Sequence, residues 1–215
     1  FWKLLLRQPP KGNILHIGTD DWGKTALDLR NSANKITYLD FDCNNWRMKA
    51  VQLRLKEAMI NNTEFILWDK EKALPFIKDT FDLIVINGFL DDDEILPEKY
   101  SFIKRITGEI YPILKKDGEL FLSTDNKWYQ SGYNSYRELL SKAGFKDLGF
   151  WSAIPDYRNF NYIIPLDNYA VLRYWIHQID SHTFRNKIRS MGLYLCLNIG
   201  ILKYVVPNFC ITAYK

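Results

Sequence analysis

The sequence predicts an α/β protein: a doubly wound, mostly parallel seven-stranded sheet with helices on both faces and a helical insertion before the last strand. Three observations lead there. Short apolar runs alternate with helical patterns over the first two thirds of the chain. Phe81–Ile86 is a near-continuous apolar run, the pattern of a strand buried on both faces of a parallel sheet. Gly18 follows directly on the first apolar run, where a missing Cβ lets a ligand approach the backbone.

The first strand reads as Asn13–Ile17, followed by a glycine-containing turn and a helix from about Lys24 to Asn31. Lys35–Asp40 is the second strand, and Asn45–Ile60 reads as a long amphipathic helix with Trp46, Val51, Ala58 and Met59 among its apolar positions. Thr63–Trp68 is the third strand, and a short helix is expected near Leu74–Lys78. After the strand at Phe81–Ile86, a helix falls within Glu98–Lys116. Lys116-Asp117-Gly118 then turns the chain into the strand Glu119–Ser123. A helix over about Asn134–Ala143 is ended by Gly144, and Phe145–Ile154 is the sixth strand. Right-handed crossovers gather the loops after these strands along one sheet edge, where ligands bind.

Past Pro155 the rhythm changes. Pro155–Asn168 reads as a Pro-rich, aromatic loop, two helices follow at about Tyr169–Ile179 and Phe184–Lys203, and Asn208–Tyr214 alternates like a final strand. The chain is therefore one domain, with a ligand-binding core over 1–154, an insertion over 155–207 and the last strand over 208–215.

Composition narrows the class. Of 215 residues, 47% are hydrophobic and 25% charged, which supports a packed core and excludes a disordered chain. Cys43, Cys196 and Cys210 form no CxxC pair and no zinc pattern, so reduced thiols and a cytoplasmic location are expected. The longest apolar run, Met191–Val206, is interrupted by Asn198 and Lys203 and falls short of the roughly 20 residues of a spanning helix. Net charge is +4, yet residues 171–215 hold six Lys or Arg against the single acid Asp180. Such a tail is more often a solvated helix face than a contact for an anionic substrate or membrane surface. Basic residues elsewhere are too sparse for a nucleic-acid surface.

The loop Gly18-Thr19-Asp20-Asp21-Trp22-Gly23 selects among ligands. With Lys24-Thr25 it has the bare spacing of a phosphate-binding P-loop. Asp20, Asp21 and bulky Trp22 make a poor phosphate cradle, because like charges at about 4 Å repel by roughly 1 kcal/mol in water and by more when partly buried. A dinucleotide meets the same objection and lacks its GxGxxG. A zwitterionic sulfonium ligand does not.

"ILHIGTDDWGKTALDL", "KITYLDFD", "FILWDKEKALPF", "FDLIVINGFLDD", "LKKDGELFLST" and "ELLSKAGFKDLGF" together resemble the class I S-adenosylmethionine-dependent methyltransferases. The resemblance covers roughly Gly12–Ile154 and the final strand, and it implies S-adenosylmethionine as cofactor. It places Gly18 at the first glycine of the cofactor loop and Asp40 on both ribose hydroxyls. It sets Asp69 against the adenine amino group and Asn87, with Gly88, beside the cofactor. The chain departs from the family where His16 replaces the first motif's acid and Asp20 and Trp22 replace later glycines. Those departures motivate a rival reading, a non-catalytic binding or scaffold domain with a degraded loop.

Substrate would be covered by Gly88–Pro97, Thr124–Gly132 and Ser152–Val206. The stretch Trp151–Pro165 resembles a subgroup associated with bacterial surface-polysaccharide and glycoconjugate clusters, which implies an oxygen or nitrogen of a small-molecule, sugar or glycolipid acceptor. Trp151, Tyr157 and Tyr162 can stack on a sugar ring, and Arg158 can bind a phosphate or carboxylate. For Trp151, packing the insertion onto the sheet is the favoured reading. Asp156, Tyr157 and Asp125 are the candidate catalytic groups, with Arg158 and Tyr162 for substrate. No metal ligand set is expected, and Asp91–Glu94 reads first as an acidic helix start.

Overall fold

A computed structural model of the chain describes residues 2–20, 23–41, 45–69, 71–87, 99–125, 132–155, 160–179 and 184–215. Its strands are β1 (Gly12–Ile17), β2 (Ala33–Phe41), β3 (Thr63–Trp68), β4 (Phe81–Asn87), β5 (Leu114–Asp125), β6 (Lys146–Pro155), β7 (Phe160–Pro165) and β8 (Asn208–Tyr214). Its helices are α1 (Lys24–Leu29), α2 (Asn45–Glu57), α3 (Lys99–Ile113), α4 (Tyr133–Ala143), α5 (Tyr169–Ile179), α6 (Phe184–Asn198) and α7 (Leu202–Val205).

The strands form one sheet in the order β3-β2-β1-β4-β5-β8-β6-β7. From β3 to β5 every pairing is parallel, whereas β8 runs antiparallel to both β5 and β6, and β7 antiparallel to β6. The sheet thus has eight strands and is mixed, not the seven expected. The extra strand is β7, inside the stretch read as a loop. Its prolines misled: Pro155 and Pro165 lie at strand ends on an edge hairpin, where a missing N–H costs no ladder bond.

Alternation on the central strands fills two cores. Leu15 and Ile17 of β1, with Ile84 and Ile86 of β4, face α3, α4 and α5, including Ile103, Ile106, Leu140 and Ile176. Ile14, Leu83 and Val85 face the other way, onto Ala26 and Leu29 of α1 and Val51 and Leu55 of α2. Trp2, in a short 3-10 helix at Trp2–Leu5, stacks on Phe121 on this second face. Helix α2 buries Met48, Val51 and Leu55, a three-then-four spacing, while Trp46 and Met59 stand in solvent.

Three local expectations change. No helix forms at Leu74–Lys78, where turns lead straight to β4. Lys116-Asp117-Gly118 survives as a kink within β5, with Asp117 at φ 64° and the register jumping from Phe81↔Leu114 to Leu83↔Glu119. The expected helix Phe184–Lys203 is divided into α6 and α7 around Gly200 at φ 76°.

The edge at the start of β5 carries a buried acid. Glu119 is paired across the sheet with Tyr214, whose hydroxyl also accepts the Arg7 backbone N–H at 3.1 Å. Burial raises the Glu119 carboxyl above its ordinary value of 4.5, while Tyr214 and Arg7 pull it back. A carboxyl raised in the folded state favours folding fully below the unfolded value, and that contribution is lost as pH rises through the folded value. Glu119→Gln is therefore expected to raise the melting temperature near neutral pH, with the gain vanishing in buffers more acidic than 4.5. Thermal melts across that range check it.

Candidate active site

Strand order reverses beside β1: the chain runs outward through β2 and β3, then returns to build β4 and β5 on the other side. Ligands bind at the carboxyl ends of strands at such a switch point. Ile17 pairs with both Leu39 and Ile86, so the next residue on each strand stands at one level. Those residues are Gly18, Asp40 and Asn87. Three of the four expected cofactor residues are thus brought to a single edge.

Gly18 turns the chain at φ 83°, a left-handed conformation that a side chain would strain by about 1–3 kcal/mol. Its N–H donates to the Leu39 carbonyl at 2.7 Å, extending the β1–β2 ladder by one bond. Asp40 is buried at the end of β2. Its Oδ2 accepts the Thr19 N–H at 2.7 Å and its Oδ1 the Phe41 N–H at 2.7 Å. This carboxylate therefore holds the turn against the neighbouring strand. On the far side of β1, the Ser123 hydroxyl donates to Asn87 Oδ1 at 2.5 Å and fixes that amide.

Two further residues shape this turn. His16 Nδ1 lies 2.6 Å from the Gly18 carbonyl. A carbonyl can only accept, so Nδ1 carries the proton, and Nε2 is buried with no hydrogen-bond partner among the described residues. Asp20 is the second: its Oδ2 accepts the Thr25 N–H at 2.6 Å at the start of α1. That is the place a phosphate takes in a P-loop, so the carboxylate already satisfies the donor a triphosphate would need. Asp20 also lies beside Tyr38. Burial and that neighbouring charge raise the Tyr38 hydroxyl well above its ordinary value and keep it neutral. Gly23 closes the turn at φ 65°, where a Cβ would meet Val51 Cγ1 at 2.8 Å, so α1 packs directly on α2.

The remaining expected residues are more scattered. Asp69 follows β3 at an exposed turn, where its Oδ1 accepts the Glu71 N–H at 3.0 Å and its Oδ2 pairs with Lys72 at 3.4 Å. That backbone bond, then Lys72, holds its carboxyl below the usual range. Asp125 ends β5 opposite Asn208, on the same sheet edge as Asn87. Tyr162 lies on the outermost strand, paired with Ile154 and largely exposed. Trp151 packs against the second core and does not stand open to a sugar. Asp156, Tyr157 and Arg158, like Gly88 and the acidic run Asp91–Glu94, lie outside the described residues.

The model of the ubiE/COQ5 methyltransferase family matches residues 7–144, more than half of the chain. The chain belongs to that family. It is a methyltransferase, and its methyl donor is S-adenosylmethionine. No curated protein matches its sequence. Solved structures share the fold at low identity. An S-adenosylmethionine-dependent methyltransferase from Mesorhizobium loti aligns with a TM-score of 0.57 at 11% identity, over 100% of this chain and 95% of that one. One from Thermotoga maritima gives 0.57 at 14%, over 100% and 85%. Phosphoethanolamine N-methyltransferase 2 of Haemonchus contortus, in complex with S-adenosyl-L-methionine, gives 0.60 at 13% over 95% of this chain and 49% of that one.

The residues of this methyltransferase fit that donor. Asp40 is a carboxylate of the kind that accepts two hydroxyls of a diol. Thr19 Oγ1 and Asp20 Oδ1 are buried oxygens without hydrogen-bond partners among the described residues, both on the Gly18 turn. Acids in that turn suit a ligand carrying ammonium and sulfonium charge, where they would repel a diphosphate. Where the family has a glycine, Asp20 accepts the Thr25 N–H at the start of α1.

Proposed function

We propose that this methyltransferase acts on an oxygen or nitrogen of a small-molecule acceptor, a sugar or glycolipid included, entering over the edge formed by β4, β5 and β8. The carrying observation is the register: Asn87 pairs with Ser123, and Asp125, two residues on, ends β5 opposite the first residue of β8. That edge runs on from the Gly18–Asp40 turn, and the 155–207 insertion feeds into it at Asn208.

When bound, S-adenosylmethionine supplies an electrophilic methyl group on a positively charged sulfur. Gly18 leaves room beside the backbone, Asp40 accepts the ribose hydroxyls, and Asn87, its amide fixed by Ser123, lines the far side. In this reading Asp69 faces the adenine amino group after leaving its own turn. Asp125 accepts the acceptor's proton when that acceptor is a hydroxyl, a step that general bases accelerate by about 100- to 10,000-fold. A neutral amine needs alignment and exclusion of water more than a base. Asp156 and Tyr157 are alternative proton acceptors, and Arg158 and Tyr162 bind the acceptor's anionic or ring portion.

Release of S-adenosylhomocysteine, measured against a panel of amino alcohol phosphates, sugars and glycolipids, tests the reading. With a hydroxyl acceptor, Asp125→Asn is expected to lower kcat at least about tenfold and leave donor affinity unchanged. Turnover unchanged in that variant removes Asp125 as the base.

A further inference from the structure

We propose that α6 and the turn after it dock on an anionic lipid surface, lying in the plane of the membrane interface. Helix α6 is apolar on two faces. One is packed: Leu193, Tyr194 and Leu197, with buried Ser190, meet the core beside α5. The other is bare. Ile188, Met191, Leu195 and, just past the helix end, Ile199 are between 57% and 71% exposed. Their spacing of three, four and four places them in one stripe along the helix. Val205 of α7 and Tyr174 of α5 add further exposed apolar area, at 55% and 65%. Scattered apolar residues need no explanation, but an aligned run of them marks a contact surface.

Charge selects the occupant. Arg185, Lys187 and Arg189 lie in the first turns of α6, a helix that holds no acid. A second copy of α6 brings no acid to pair with these cations. A nucleic acid would satisfy the cations and leave the stripe in water. An anionic bilayer takes both, apolar side chains among the acyl chains and cations at the headgroups. No helix among the described residues is long and apolar enough to cross a membrane, so the contact is peripheral.

Flotation of the full chain with vesicles of phosphatidylcholine alone, or mixed with phosphatidylglycerol, tests this. The wild type is expected to float with the mixed vesicles, to release them as salt rises, and to bind the neutral ones weakly. A Met191→Glu/Leu195→Glu variant is expected to lose at least about tenfold in partitioning. Its melting temperature and S-adenosylmethionine affinity should stay at the wild-type values, since both side chains are exposed. Lys187→Glu/Arg189→Glu should lose a similar factor on the mixed vesicles only. A wild type that stays soluble with both compositions overturns the proposal. So does a charge-reversed variant that floats undiminished, or a wild-type dimer in sedimentation that the apolar-to-Glu variant dissolves.

Discussion

Asp40→Ala is expected to weaken S-adenosylmethionine binding by about 3 kcal/mol, roughly a hundredfold, with the fold retained. The size follows from two roles in one carboxylate. It accepts the backbone N–H groups of Thr19 and Phe41, so it sets the shape of the turn that lines the site. In the proposed function it also accepts the ribose hydroxyls. Hydrogen bonds to a charged partner contribute about 1.5–3 kcal/mol each, and truncation removes several together. Asp40→Asn keeps one oxygen and should fall between wild type and alanine. Circular dichroism separates lost binding from lost fold, and calorimetry reads the affinity.

Asn208→Ala is expected to cost about 3–5 kcal/mol of stability. Asn208 is fully buried at the first position of β8. Its Oδ1 accepts the Ala153 N–H at 2.8 Å and its Nδ2 donates to the Ala153 carbonyl at 2.7 Å. The β6–β8 ladder ends at the Trp151–Cys210 pair, and two residues further on the side-chain amide takes the place of a backbone partner. Alanine would leave a buried donor and a buried acceptor unpaired in the centre of the sheet, each costing about 1–3 kcal/mol. Urea denaturation measures it. A loss below about 1 kcal/mol would mean that the two strand ends can pair directly.

Much of this architecture was legible because it rests on periodicity. Thr63–Trp68, Tyr169–Ile179 and Asn208–Tyr214 have the bounds their patterns predict, and the Phe81–Ile86 run is buried on both sheet faces. Asp40 follows from the family resemblance of KITYLDFD, and the parallel register then fixes its level and its edge. What the pattern hides is pairing between distant groups. Nothing local to Asp20 shows that the Thr25 N–H will fall on it, so its charge was legible and its capping role was not. Nothing local to Asn208 shows that β6 and β8 part at Ala153. Strand β7 was hidden differently: its two flanking prolines read as loop until the hairpin puts them at strand ends.

The most direct test of the site is a calorimetric titration of the purified chain with S-adenosylmethionine and S-adenosylhomocysteine, with NAD and ATP as controls. Micromolar binding of both adenosyl ligands, silence toward the controls and loss of the signal in Asp40→Ala are the predicted result. A folded wild type that ignores both adenosyl ligands, or binds ATP as well as it binds them, would contradict the assignment of the Gly18–Asp40–Asn87 edge.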